Sequence, residues 1–155
     1  SLIIPFRELP MKSFVKYSLL ALSLAPVLIL SQVQANAIEQ SVAPKSANVY
    51  IVAPADGAMV NETFTIIFGL TNMGVSPAGI EKKNTGHHHL LVDGKVLPSF
   101  NLPMGSEVKH FGGGQTETSI TLSKGKHTLQ LILGDHRHIP HNPAVVSEKI
   151  TISVE

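Results

Sequence analysis

An immunoglobulin-like antiparallel β-sandwich, all-β and of a single domain, is the fold class this sequence predicts. Three observations predict it. Short stretches alternate apolar and polar residues with the two-residue period of a strand. Gly, Pro and Asp-Gly punctuate the chain between those stretches. Beyond the leader, no stretch sustains a helical period.

The strands follow in order. Val49 to Val52 is a short β-type run halted by "PADG". Thr63 to Leu70 places Phe64, Ile66, Phe68 and Leu70 on one face and Thr63 and Thr65 on the other. His87 to Val92 ends at Asp93-Gly94, a hairpin-type dipeptide. Thr116 to Leu122 turns Thr118, Ile120 and Leu122 one way, and His127 to Leu133 does the same with Leu129, Leu131 and Leu133. Val146 to Val154 closes the chain with Ile150, Ile152 and Val154 inward. The expected core is Phe64, Ile66, Phe68, Leu129, Leu131, Ile150 and Ile152. The stretch "LSKGKHTLQLILGD" (122–135) reads as the corner and strand near the end of an exported sandwich module, with His127 where a corner tyrosine often sits and bonds back to the backbone.

Ahead of the domain lies a leader. Lys12 and Lys16 form a positive region, "YSLLALSLAPVLIL" (17–30) an apolar one, and "QVQANA" supplies small residues for cleavage after Ala35 or Ala37. The apolar run is short for a membrane span and holds Pro26. The expected organisation is an upstream or non-native extension at 1–10, a signal peptide at 11–37, a flexible linker at 38–48, and the sandwich at 49–155. The mature chain is then periplasmic or secreted, with no membrane span left after cleavage.

Composition narrows the function. Without residues 1–37, nine Lys and Arg face ten Asp and Glu. The basic balance of the full chain thus belongs to the leader, and no nucleic-acid footprint remains. The absence of cysteine removes disulfides, thiol nucleophiles and thiolate metal sites. No G-x-S-x-G elbow or phosphate loop is present. Asp135 has no serine in an activated setting with which to complete a triad. The expectation is a binding protein and not an enzyme.

All eight histidines follow the leader. His87 and His89 point to one face of their strand and His88 to the other. Three loops are unusual: "TNMGVSPAGIEKKNTG" (71–86), "HFGGGQTE" (110–117) and "DHRHIPHNP" (135–143). At these places the chain resembles a bacterial family known as domain of unknown function 4399. The stretches that carry the resemblance are "NMGVSPAG", "GHHHLLVD", "HFGGGQTE", "GKHTLQLILGD" and "HIPHNP". The resemblance implies an exported, single-domain β protein with no settled activity. His87, His88, His89, His110, His127, His138 and His141 fall within those stretches, and His136 is not carried over.

Neutral imidazoles suit Cu(II), Zn(II) and Ni(II) and need no cysteine beside them. The expected ligands are His88, His110, His138 and His141, with His87, His89, Met73 and Met104 as secondary candidates. Copper is the first choice of metal, for storage or delivery, and zinc the second. Binding is expected to weaken as pH falls through about 6.5, the ordinary histidine value. Glu117 is a candidate to orient one of the rings or a solvated strand residue. His127 is read as structural and His136 as exposed. The alternative is a non-enzymatic structural or interaction module whose loop end docks a periplasmic protein or a glycan, with its histidines in a polar hydrogen-bond network. A metal site requires three or more ring nitrogens meeting near one point.

Overall fold

The computed structural model describes residues 38–155. The expected extension, signal peptide and cleavage sites lie outside the described residues.

Every named element is a strand. They are β1 (Asn48–Ala53), β2 (Met59–Val60), β3 (Thr63–Thr71), β4 (Gly74–Val75), β5 (Thr85–Val92), β6 (Lys109–His110), β7 (Glu117–Thr121), β8 (Gly125–Gly134) and β9 (Ile150–Val154). One sheet has the order β1-β3-β7. The other runs β2-β9-β8-β5-β4, and β6 also pairs with β5. Most pairings are antiparallel, with short parallel contacts at β2–β9 and β4–β5. Among the described residues no helix is long and apolar enough to cross a membrane.

The two sheets enclose the main core. Val49, Ile66, Phe68 and Ile120 come from the first sheet, and Leu90, Leu129, Leu131, Leu133, Ile152 and Val154 from the second. These are the positions that a two-residue period assigns to one face, so burial of alternate apolar side chains drives the assembly. The expected core residues Ile66, Phe68, Leu129, Leu131 and Ile152 are buried, while Phe64 and Ile150 are partly buried and pack against the cluster.

A second, smaller cluster lies on the outer face of the second sheet. Leu91 and Ile132 point away from the main core and are covered by Met104 and Val108 from the β5–β6 connection, with Val146 against them. That connection departs from the expected tight hairpin. Asp93 does turn the chain at φ 56, but its carboxylate accepts from Thr128 N and His127 Nδ1, and the chain then runs on to β6. β5 is therefore buried on both faces over His87 to Leu91.

Residues 38–48, expected as a flexible linker, are held to the domain. Val42 bridges Asn142, Ala43 N donates to Asn142 O (3.1 Å), and Asn142 N donates to Ser41 O (2.9 Å).

Candidate metal centre

Four histidines meet on the outer face of the second sheet. His87 and His89 reach it as alternate residues of β5. His110 arrives from β6, where it stands directly opposite His89, and the two rings are 4.7 Å apart, edge to face. His138 arrives from the turn after β8. Its Nδ1 lies 3.0 Å from His87 Nε2, 3.1 Å from His89 Nε2 and 3.1 Å from His110 Nδ1. The donor nitrogens of His87, His89 and His138 lie within 4.8 Å of one another, a group that can hold a metal ion.

Hydrogen bonds alone do not account for this convergence. A neutral imidazole nitrogen carries either one N–H or one lone pair, aimed outward in the ring plane. His110 Nε2–H donates to Gly105 O (2.8 Å), so the neutral ring presents a lone pair at Nδ1. Whether it carries a proton or a lone pair, His138 Nδ1 directs one hydrogen bond toward one of its three neighbours and leaves the other contacts unmade. A cation can be held by His87, His89 and His138, with His110 Nδ1 beside His138. Ligands about 2.0–2.1 Å from a metal stand about 3.3–3.4 Å apart in a tetrahedron, and adjacent ones about 2.8–3.0 Å apart in a square plane. His138 Nδ1 has three neighbours at 3.0–3.1 Å, one more than the two adjacent ligands of a square plane, so the separations approach the tetrahedral arrangement alone.

Burial prepares the nitrogens for ligation. It pushes the His87 pKa down to about 4, with help from the nearby His138 and His110. Burial, then His87, His110 and His138, pushes His89 down to about 3. His138 is also lowered, by burial and then by His110, with Asp135 opposing. His87 and His89 are thus neutral, ligand-ready rings well below the ordinary histidine value, and the expected loss of binding near pH 6.5 moves lower for their part. His110 is exposed and His138 half-buried, so the cluster has a buried floor and an open side.

The local sequence makes room for this. Gly134 faces His87 across the β5–β8 ladder. A Cβ there would lie 2.4 Å from Cε1 and 2.9 Å from Nδ1 of His89, and 3.0 Å from Cε of Met104. Only glycine lets the His89 ring lie against β8. His138 has φ 64, in the left-handed region that few side chains occupy. The turn that imposes it is organised by Asp135, which is 1% exposed. Its Oδ1 accepts from Arg137 N (2.8 Å) and Ile139 N (3.0 Å), and its Oδ2 from Ser41 Oγ (2.7 Å). Burial works against the Asp135 charge, but these hydrogen bonds outweigh it and hold the carboxyl below its usual range.

The remaining histidines stand elsewhere. His88, expected among the ligands, points between the sheets with its ring 5.0 Å from that of Phe68. It shares the face of Leu90, and the intervening strand separates it from the cluster. His141, also expected as a ligand, is buried apart and donates from Nε2 to Thr85 O (3.1 Å). His110 and His138 join the cluster as the sequence suggested. His87 and His89, ranked second there, supply its buried half. Met104 packs beside His89 in the outer apolar cluster, and Met73 packs against the main core. Glu117 is an exposed residue of β7 in the other sheet. His136 is half-buried, 3.9 Å from Glu81.

His127 takes the corner role. Nε2–H donates to Ser123 O (2.8 Å) and Nδ1–H to Asp93 Oδ2 (2.7 Å). Both partners are acceptors, so the doubly protonated ring fits best. The pKa is raised accordingly, first by Asp93 and then by the Ser123 carbonyl.

No curated protein matches the chain. Among solved structures, fibronectin(III)-like modules of Clostridium thermocellum CbhA are similar, at 17% identity and a TM-score of 0.34, over 68% of this chain and 92% of that one. Residues 66–155, which contain all four clustered histidines, match the family described as domain of unknown function (DUF4399), and the chain belongs to that family.

Proposed function

We propose that this protein is an exported metal-binding protein, not an enzyme, which takes up a transition metal through His87, His89, His110 and His138 for storage or delivery. One observation carries the reading: three imidazole nitrogens stand 3.0–3.1 Å from the same nitrogen of His138. Copper is the first choice and zinc the second. All four donors are imidazole nitrogens of intermediate softness, and among divalent ions Cu(II) binds such donors most tightly. The separations from His138 approach those of a tetrahedral ion. Export is inferred from the leader pattern alone.

The test is a titration of the metal-free chain with Cu(II) and Zn(II) against competing chelators, beside a His87→Ala/His138→Ala variant. Stoichiometric binding that the variant loses supports the reading. Equal, weak binding by both overturns it. The interaction-module reading would then stand, and it draws on the exposed Val96, Leu97, Phe100 and Leu102 of the β5–β6 connection.

A further inference from the structure

The metal cluster depends on a turn, and the turn depends on a segment far away in sequence. His138 can reach His87, His89 and His110 only while its backbone stays at φ 64. A residue with a β-carbon adopts that conformation at a cost, and it persists only where the surroundings impose it. Within the turn, His138 N donates to Asp135 O (2.9 Å), and the Asp135 carboxylate receives the N–H groups of Arg137 and Ile139 on either side of His138.

Asp135 is held in turn by the residues before β1. Ser41 Oγ donates to its second oxygen at 2.7 Å. The same arm grips both flanks of the turn. Gln40 Nε2 donates to Pro140 O (2.9 Å), Arg137 Nη2 donates to Glu39 O, and the backbones of Ser41 and Ala43 bond to Asn142. Gln40 Nε2 also donates to Phe100 O in the β5–β6 connection, whose later part carries Met104. Met104 N donates to His138 O (2.9 Å), so the ligand's own carbonyl is tied down as well. The arm thus holds the turn that carries the one ligand the sheet does not supply.

We propose that the arm at 39–43 is a working part of the metal site, a latch that acts through Ser41 and Asp135 to hold His138 in its ligating position. Ser41 and Asp135 are positioning residues, and neither donates to the metal. The inference rests on the metal reading above. It also names a regulated state: anything that lifts the arm leaves the three strand ligands in place and releases the fourth.

The experiment uses the full chain and Cu(II) as the probe. Ser41→Ala, Ser41→Thr and Asp135→Asn are made alone and in a His138→Ala background. Affinity is read by chelator competition, and the number of bound nitrogens by the hyperfine pattern of the Cu(II) resonance. Loss of an outer support of a ligand weakens metal binding by about 10- to 100-fold. Asp135→Asn is expected at the lower end of that range, with a nitrogen lost from the spectrum. Ser41→Ala shows a smaller loss that Ser41→Thr restores. In the His138→Ala background none of these changes alters affinity, because the ligand they position is already gone. If Asp135→Asn does not fold, Ser41→Ala and its rescue decide. Wild-type binding with unchanged affinity and spectrum in Ser41→Ala and Asp135→Asn overturns the latch alone. A wild-type chain that takes up no Cu(II) overturns the metal reading and the latch with it.

Discussion

His138 Nδ1 and His87 Nε2 stand 3.0 Å apart, one on a strained turn and the other on a strand of a six-stranded sheet, 51 positions apart in the chain. The sheet position is fixed by the β5–β8 ladder and the turn position by the hydrogen bonds of Asp135. A site with three ligands on paired strands and one on a turn separates stability from affinity. His138→Ala should reduce Cu(II) affinity about 100-fold or more, since it removes a ligand outright and not merely its support. The denaturation midpoint of the metal-free protein should change little. His88→Leu should leave affinity within a few-fold, because that ring faces the main core. Chelator competition on the two variants checks this, and a larger loss in His88→Leu than in His138→Ala contradicts the assignment of faces.

Leu131 is fully buried between the sheets. Leu131→Ala should cost about 2–5 kcal/mol, as truncation in a closely packed core does. Val96, 80% exposed, should tolerate alanine within about 0.5 kcal/mol. Urea melts of the two variants measure the difference, and a loss under about 1 kcal/mol for Leu131→Ala means that β8 faces the other way.

Much of the fold was legible in the sequence because burial between two sheets imprints a two-residue period. β3, β7 and β8 follow their expected ranges closely for that reason. β2, β4 and β6 are two residues each, too short to carry any period. The triplet His87-His88-His89 was legible as a pair and a single ring on opposite faces. Which face met the loops was not. The outer face of β5 is covered by Met104 and Val108 from the connection that follows it, so both faces are buried and the pattern does not distinguish them. His110 and His138 stood out as loop histidines. The role of Asp135 was hidden, since its partners are a serine 94 residues away and the backbone of its own turn.

Gly134 marks the site as clearly as any histidine. Gly134→Ala forces the His89 ring to move, since the new methyl carbon would stand 2.4 Å from His89 Cε1. Overpacking of this kind costs about 1–3 kcal/mol. The displaced ring should also weaken Cu(II) binding by about tenfold or more. Parallel melts and titrations check both effects, and unchanged affinity shows that the His89 ring does not ligate.

The His127–Asp93 pair gives stability a pH window away from the metal site. His127 is raised above its ordinary value of 6.5, chiefly by Asp93, so its contribution is fully present below pH 6.5 and is lost as pH rises through the folded value. For Asp93, burial opposes the charge, but hydrogen bonds from His127 and Thr128 prevail and lower it below 3.8. Its contribution is present above pH 3.8 and is lost as pH falls through the folded value. The pair therefore stabilises the fold most between those limits. Proton resonance titration should find His127 above 6.5 in the wild type and lower in Asp93→Asn. Identical titration curves in the two proteins remove the pair from the account.

Proton competition gives the metal reading its sharpest quantitative test. Each ligand that must shed a proton makes log affinity fall by about one unit per pH unit below its pKa. Four histidines at the ordinary value of about 6.5 would approach a slope of four as the medium is acidified. Here burial has already removed the protons from two of them, since His87 titrates at about 4 and His89 at about 3. Between pH 6 and 5 those two rings contribute almost nothing, so at most two of the four rings are left to compete. The slope of log affinity against pH in that interval should be two or less, and it should steepen toward pH 4 and below as His87 and then His89 take up protons. Chelator-buffered Zn(II) titrations from pH 7 to pH 5, with correction for the protonation of the chelator, measure it. A slope near four would show that His87 and His89 are solvated rings in the metal-free protein, and the buried floor of the site would have to be abandoned.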